Sequence, residues 1–298
     1  MNSAAVCGVI LVDKQAGMTS HDVVAAVRRL TGIRKVGHGG TLDPFATGLL
    51  LILVGRATRL FDLLITLRKE YRVTVRFGAV STTGDSDGEV TPAVSAPAVT
   101  RAALEAVLPD FSGEIEQRVP AYSAVKQGGE RLYRKARRGE SVVAPLRRVR
   151  IHRLQLLAFD AASQQAELLV SCSKGTYIRA LCEDIGRVLD GGAYATALRR
   201  TAVGEFTVSR AASLDSLSDL SPADLPGPAS PSFLSCLSAL YFLPVRELDP
   251  REAAAVGNGR FIAGEAEGPV RLASGGRLLA VYGPAAEAGQ LRPLVVLS

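Results

Sequence analysis

No run of about eighteen apolar residues occurs anywhere in the 298-residue sequence, so no membrane-spanning helix is expected. The opening MNSAAVCGVILVDK has no basic n-region, and it is not expected to act as a cleavable signal. Four cysteines, Cys7, Cys172, Cys182 and Cys236, form neither a CxxC pair nor a dense framework. That pattern argues for reduced, mostly buried thiols in a cytoplasmic protein, over metal or disulfide chemistry. No nucleotide-binding loop, metal-ligand cluster or internal repeat stands out. Acid is scarce in one stretch: between Arg131 and Arg153 nine Lys or Arg residues accompany the single acid Glu140. Such a stretch suits a phosphate backbone, although an isolated charge run reads better as the solvated face of a helix.

What is present is a folded chain. An apolar fraction of 47%, 21% charged residues and a net charge of +6 fit a globular protein of one or two domains. Gly8 to Val12 reads as a strand. A helix follows with Ser20 as N-cap, Val23, Val24, Val27 and Leu30 at helical spacing, and Gly32 as its stop. Leu49 to Val54 is a continuous apolar run, as in a strand buried on both faces. Tyr71, Val73, Val75 and Phe77 alternate onto one strand face. Arg101 to Leu108 reads as a short helix, and Arg148 to Phe159 with Gln165 to Cys172 as an antiparallel pair. From Thr176 a helix turns Ile178, Leu181, Ile185 and Val188 toward the core. Ser218 to Ser232, rich in Ser, Pro and Asp, reads as a connector. Beyond it lie the helix Pro250 to Val256, the turn Asn258-Gly259, and strands at Gly268 to Leu272 and Leu278 to Val281.

The most informative segment is Gly37 to Gly55, GHGGTLDPFATGLLLILVG. Read alone, Asp43-Pro44 resembles a helix start, with Asp43 as N-cap, Pro44 at the first helical position and Gly48 closing one turn. The same segment resembles the motif GHxGTLDPxATGxL of the TruB family of tRNA pseudouridine synthases. Other pieces resemble that family in order: Val12 to Ser20 (VDKQAGMTS), Lys69 to Gly78 (KEYRVTVRFG), Pro120 to Arg138 (PAYSAVKQGGERLYRKARR), Ser173 to Arg179 (SKGTYIR) and Leu198 to Phe206 (LRRTAVGEF). Two positions depart from the family pattern. Gln15 stands where a proline is usual, which removes a rigid residue, and Gly39 stands where Thr or Ala is usual.

The resemblance implies an α+β pseudouridine synthase fold, with a central mixed, largely antiparallel sheet flanked by helices and a small β-rich PUA-like domain at the end. The catalytic domain is expected over 1–244, with an RNA-gripping insertion at 117–145, and the terminal domain over 245–298. It implies a cofactor-independent isomerase that converts uridine 55 in the T loop of tRNA. Asp43 would be the nucleophile and Arg179 its cationic partner. Tyr71 would stack beneath the target base, Tyr177 and Leu198 would line the pocket, and His38 would fill the place the flipped base leaves. Lys126, Arg131 and Arg134 would grip the T arm, while Lys14 would support its loop more than perform chemistry. The expected partner is tRNA, with no membrane and a monomeric enzyme. A non-catalytic RNA-binding protein using the same cradle is the alternative.

Overall fold

Local chemistry sets where each element starts, and the first helix shows how. Ser20–Thr31 is capped by Thr19, one residue before the expected Ser20. The Thr19 side chain accepts from the Asp22 backbone N–H, and the Asp22 carboxylate accepts from the Thr19 N–H in return. The hydroxyl of Ser20 is thereby free for another role, described below. Gly32 ends the helix in the left-handed conformation, at φ 67°. The computed structural model describes residues 7–94, 96–120, 122, 126–127, 130–131, 138, 140, 145–218 and 230–297, with the backbone alone at 126–127 and 130–131. It divides into two units: Met1–Asp43, Leu49–Thr66 and Val208–Ser298 form one, and Pro44–Gly48 with Leu67–Thr207 the other.

In the first unit the strand Gly8–Lys14 pairs antiparallel with Phe233–Ser235, with Gly8 opposite Ser235. The short strand Val36–His38 pairs antiparallel with Thr47–Val54, whose residues from Gly48 onward are all buried. That pattern matches the apolar run in the sequence. The last part of the unit folds around its own core of Leu248, Val256, Ile262, Val270, Leu272, Tyr282 and Leu291. Around this core lie five strands, in the order Val245–Glu247, Val270–Ser274, Arg277–Pro284, Gln290–Val296 and Ile262–Ala263. The helix Pro250–Gly257 closes it, started by a capping box between Asp249 and Glu252 with proline in the first turn. The hydroxyl of the fully buried Tyr282 donates to the Arg260 carbonyl at 2.9 Å, which meets the need of a buried phenol for a partner.

In the second unit, strand Ala193–Val203 lies between the start of Thr47–Val54, to which it runs parallel, and Lys69–Phe77, to which it is antiparallel. Outward from Lys69–Phe77 come Gln165–Cys172, Leu146–Asp160 and Gly113–Arg118, all antiparallel. The hairpin expected around Asp160 to Ser163 is present. One expectation fails at Asp43-Pro44. No helix begins there: the chain is irregular until the strand opens at Thr47. Gly48 does not close a turn but has φ +102°, and a Cβ on it would stand 2.3 Å from the Arg200 carbonyl oxygen. Its lack of a side chain is what lets two parallel strands meet there. The helix expected from Thr176 runs Ile178–Val188, and its last residue, Val188, is exposed where burial was expected, because the helical stripe ends at Ile185 and Gly186.

Among the described residues no helix is long and apolar enough to cross a membrane, and no cluster of His, Cys, Asp or Glu could hold a metal ion. Arg134 and residues 219–229 of the expected connector lie outside the described residues.

Candidate active site

In the second unit the expected site residues sit on elements whose geometry fixes them closely. Strand Lys69–Phe77 alternates strictly, so Tyr71 shares the buried face with Val73, Val75 and Phe77 and is 9% exposed. It lies between Val170 on one neighbouring strand and Arg200 on the other. Leu198, also buried, pairs with Val73. Tyr177 is the N-cap residue of helix Ile178–Val188, and its side chain makes no capping bond. The buried Gln117 grips its backbone instead: the Gln117 amide donates to the Tyr177 carbonyl at 2.9 Å and accepts from the Tyr177 N–H at 2.7 Å. That two-way clamp sets the first turn of the helix and so the direction in which Arg179 leaves it.

Arg179 is 4% exposed, and its charge is balanced by Asp85 at 3.2 Å. Its Nη1 donates to the Thr83 carbonyl at 2.5 Å and its Nη2 to the Tyr122 carbonyl at 3.1 Å. Asp85 is in turn held by the Thr83 hydroxyl at 2.5 Å and the Asp87 N–H at 3.1 Å, while the Ser81 hydroxyl donates to the Asp85 carbonyl. The turn carrying it is stitched to strand Ala193–Val203 through the Ala195 N–H, which donates to the Gly84 carbonyl at 3.0 Å. Such a buried pair is costly to assemble but holds a guanidinium in one geometry. Glu183, one turn after Arg179, also feels this charge: burial pushes its carboxyl above the usual range, Arg179 opposes that, and Asp184 and Asp85 add to it. Glu183 lines a cavity of about 460 Å³ with Val80, Arg187, Asp190, Gly192 and Ala193.

Sequence reasoning missed Asp85. It stands in a Thr-Thr-Gly-Asp-Ser-Asp-Gly stretch that reads as an ordinary solvated turn, and only its burial, at 4% exposure, marks it. Gln117 was missed as well: it lies on strand Gly113–Arg118, where one polar residue among several carries no signal of its own and only its burial marks it.

The first unit holds Lys14, His38 and Asp43. Fully buried Lys14 donates to the carbonyls of Gln15 and Met18, at 2.9 and 2.8 Å, which ties the turn after its strand. His38 ends the strand Val36–His38 opposite Ile52, and its ring meets that of His21 edge-on at 5.3 Å. Gly39 is buried, and a Cβ there would stand 3.2 Å from that of Leu51, so the departure from Thr or Ala fits a close approach. Asp43 is half-buried. The residue before it is fixed on both sides by Ser20, whose hydroxyl accepts from the Leu42 N–H at 2.9 Å and donates to the Leu42 carbonyl at 3.2 Å. Lys126 and Arg131 face each other across a two-residue antiparallel pair in the second unit.

The family model for the TruB family pseudouridylate synthase N-terminal domain matches residues 28–178, and that for the tRNA pseudouridylate synthase B C-terminal domain matches residues 179–224. The chain belongs to the TruB family. His38, Asp43, Tyr71 and Tyr177 fall in the first matched stretch and Arg179 and Leu198 in the second, while Lys14 precedes both. The TruB-family protein "tRNA pseudouridine synthase B" of Azoarcus sp. (strain BH72) is 45% identical over 289 residues, covering 96% of this chain and 93% of that protein. The protein of the same name from Thermobifida fusca (strain YX) is 43% identical over 300 residues, covering 98% of each. Among solved structures, a Cbf5-Nop10-Gar1 complex has a chain of the same fold, with a TM-score of 0.74 and 26% identity over 98% of this chain and 85% of that one. The TruB-family fold, a mixed and largely antiparallel sheet with helices and a β-rich terminal part, is therefore the fold of this chain.

Proposed function

We propose that this protein isomerises uridine to pseudouridine in tRNA, at position 55 of the T loop. The reaction breaks the N1–C1′ bond, turns the freed uracil and rejoins it through C5 to C1′. A proton leaves C5 and one is gained at N1, so no redox partner or group donor is consumed. The carrying observation is the buried Arg179 guanidinium, held by a carboxylate and two carbonyls on a helix whose first turn Gln117 clamps. A cation fixed at such cost suits a reaction that must keep an attacking carboxylate ionised away from water, and pure RNA binding has no need of it.

In this reading Asp43 is the nucleophile, which divides one hard displacement into two easier steps, and Arg179 keeps it anionic. Tyr71 stacks beneath the base and assists removal of the C5 proton. Tyr177 and Leu198 line the pocket. The target nucleotide is swung out of the folded T arm at a cost of a few kcal/mol, and His38 occupies the place it leaves. Lys126, Arg131 and Arg134 grip the RNA with the basic stretch up to Arg153, reading shape and splayed bases more than a groove code. Residues 245–298 form a PUA-like domain that adds RNA affinity. The enzyme works as a cytoplasmic monomer without cofactor.

The test is tritium release from unmodified tRNA labelled at uracil C5, with the product position mapped. One tritium released per tRNA, with pseudouridine at position 55, is the expected result. Tight tRNA binding without release would leave a non-catalytic RNA-binding protein and sink the proposal.

A further inference from the structure

Four thiols without a pairing motif were expected to be reduced and mostly buried, and all four are free with three of them buried. Cys172 and Cys182 are buried, and burial pushes the Cys172 thiol up to about 11 and Cys182 upward as well. The other two stand differently. Cys7 precedes strand Gly8–Lys14, and Cys236 follows strand Phe233–Ser235. Gly8 is paired with Ser235, so Cys7 and Cys236, the first residue of the short helix Cys236–Ala239, lie just beyond the end of that pairing. Their sulfurs are 2.9 Å apart, one S–H donating to the other sulfur. A disulfide's sulfurs are ~2.05 Å apart, so the two need close by only about an ångström to bond.

The two sulfurs also differ in character. Cys7 is half-exposed and Cys236 is buried, so a reagent meets Cys7 first. The bond from Cys236, backbone N–H groups of Ala57 and Arg56, and the Arg56 guanidinium favour the Cys7 thiolate and bring its pKa down to about 7, while burial opposes them. Cys236 is pushed the other way by its bond to Cys7 and by burial, so it keeps the shared proton. A half-exposed thiolate backed by a buried thiol in contact is the arrangement of an attacking and a resolving cysteine.

We propose that Cys7 and Cys236 form a thiol–disulfide exchange site that reacts with low-molecular-weight disulfides and closes to an intramolecular bridge. The Cys7 thiolate attacks one sulfur of RSSR, forming Cys7–S–S–R and releasing RS⁻. Cys236 then gives up its proton and attacks the Cys7 sulfur, forming Cys7–S–S–Cys236 and releasing a second RS⁻. The two thiols are oxidised by two electrons and RSSR is reduced to two thiols, one of which takes the Cys236 proton. The bridge closes a loop between residues 229 apart in sequence and fastens the strand Gly8–Lys14 to the segment that begins at Phe233. The reaction is independent of uridine isomerisation.

The experiment incubates the full-length protein with oxidised glutathione at neutral pH, blocks remaining thiols with N-ethylmaleimide, and maps peptides without reduction. The expected result is a Cys7–Cys236 cross-linked peptide carrying no glutathione, with Cys172 and Cys182 still thiols, and a melting temperature higher than that of the dithiothreitol-treated protein. Cys236→Ser should trap glutathione on Cys7, and Cys7→Ser should leave Cys236 unmodified. Wild-type protein in which Cys7 retains glutathione while Cys236 is alkylated, or in which both remain thiols, would overturn the proposal. The wild-type map decides it even if a variant folds poorly.

Discussion

Replacing Asp85 by alanine removes the carboxylate 3.2 Å from Arg179, with both side chains almost fully buried. At an effective dielectric of about 20 that separation corresponds to a gross attraction of ~5 kcal/mol. The net loss is set instead by the charge left behind, and removing one member of a buried pair costs ~3–5 kcal/mol. Arg179 keeps the Thr83 and Tyr122 carbonyls, which places Asp85→Ala at the low end, at ~3 kcal/mol. Asp85→Asn can keep its oxygen on the Thr83 hydroxyl and the Asp87 N–H, but its NH2 then faces Arg179, so both the charge and the acceptor are lost there and ~2–3 kcal/mol is expected. Denaturant unfolding at pH 7 measures both. In the tritium-release assay a loosened guanidinium should lower kcat ~100-fold, equivalent to ~2.7 kcal/mol of barrier, with a smaller change in KM. A double-mutant cycle with Arg179→Ala separates pairing from unrelated damage. If the stability effects of the two substitutions add to within ~0.5 kcal/mol, the pair is not an energetic unit and the reasoning fails.

Asp43→Asn should abolish tritium release while tRNA affinity stays within about tenfold, or ~1.4 kcal/mol; turnover at the wild-type rate would remove Asp43 from the chemistry. Tyr71→Phe keeps the ring and the buried face, so folding should persist while release of the C5 proton slows, and full activity would deny the hydroxyl any role. Gly48→Ala drives a methyl group into the Arg200 carbonyl at a positive φ, for a predicted loss of ~3 kcal/mol or failure to fold; unchanged thermal stability would count against the close strand contact. Burial, followed by the charge of Arg200, brings the buried Lys69 ammonium down to about 8, so between there and its unfolded value the unfolded chain binds more protons and the Lys69 contribution grows as pH rises. Lys69→Met removes that dependence, so its stability advantage over the wild type should shrink from pH 8 to 10.5, and a constant difference across that range would show that Lys69 titrates normally.

Much of this architecture was legible because it is local. The alternation around Tyr71, the Arg148 and Gln165 hairpin, and the apolar stripe of the helix carrying Arg179 each need only a few neighbours to declare themselves. Short-range signals failed where a distant residue decides. Asp43-Pro44 has the letters of a helix start, but the chain is already being drawn into a strand whose Gly48 must pass against Arg200. Ser20 reads as a cap and instead fastens Leu42, because Thr19 and Asp22 satisfy the helix end without it. Asp85 carried no periodic signal at all, since a turn residue becomes a buried counter-ion only when a helix nearly a hundred positions later brings Arg179 to it. Cys7 and Cys236 likewise became neighbours only through the pairing of two strands from opposite ends of the sequence.

Gln117 and Tyr122 stand on either side of the point where the chain leaves strand Gly113–Arg118 for the stretch that returns at Leu146. One of them grips the backbone at Tyr177 and the other accepts from Arg179 itself. The guanidinium is therefore held directly through the Tyr122 carbonyl, and indirectly through Gln117, which fixes the backbone at the start of its helix. A displacement of Tyr122 is felt at the arginine, and a reorientation of the arginine is felt at Tyr122. The two groups are the ends of one short lever.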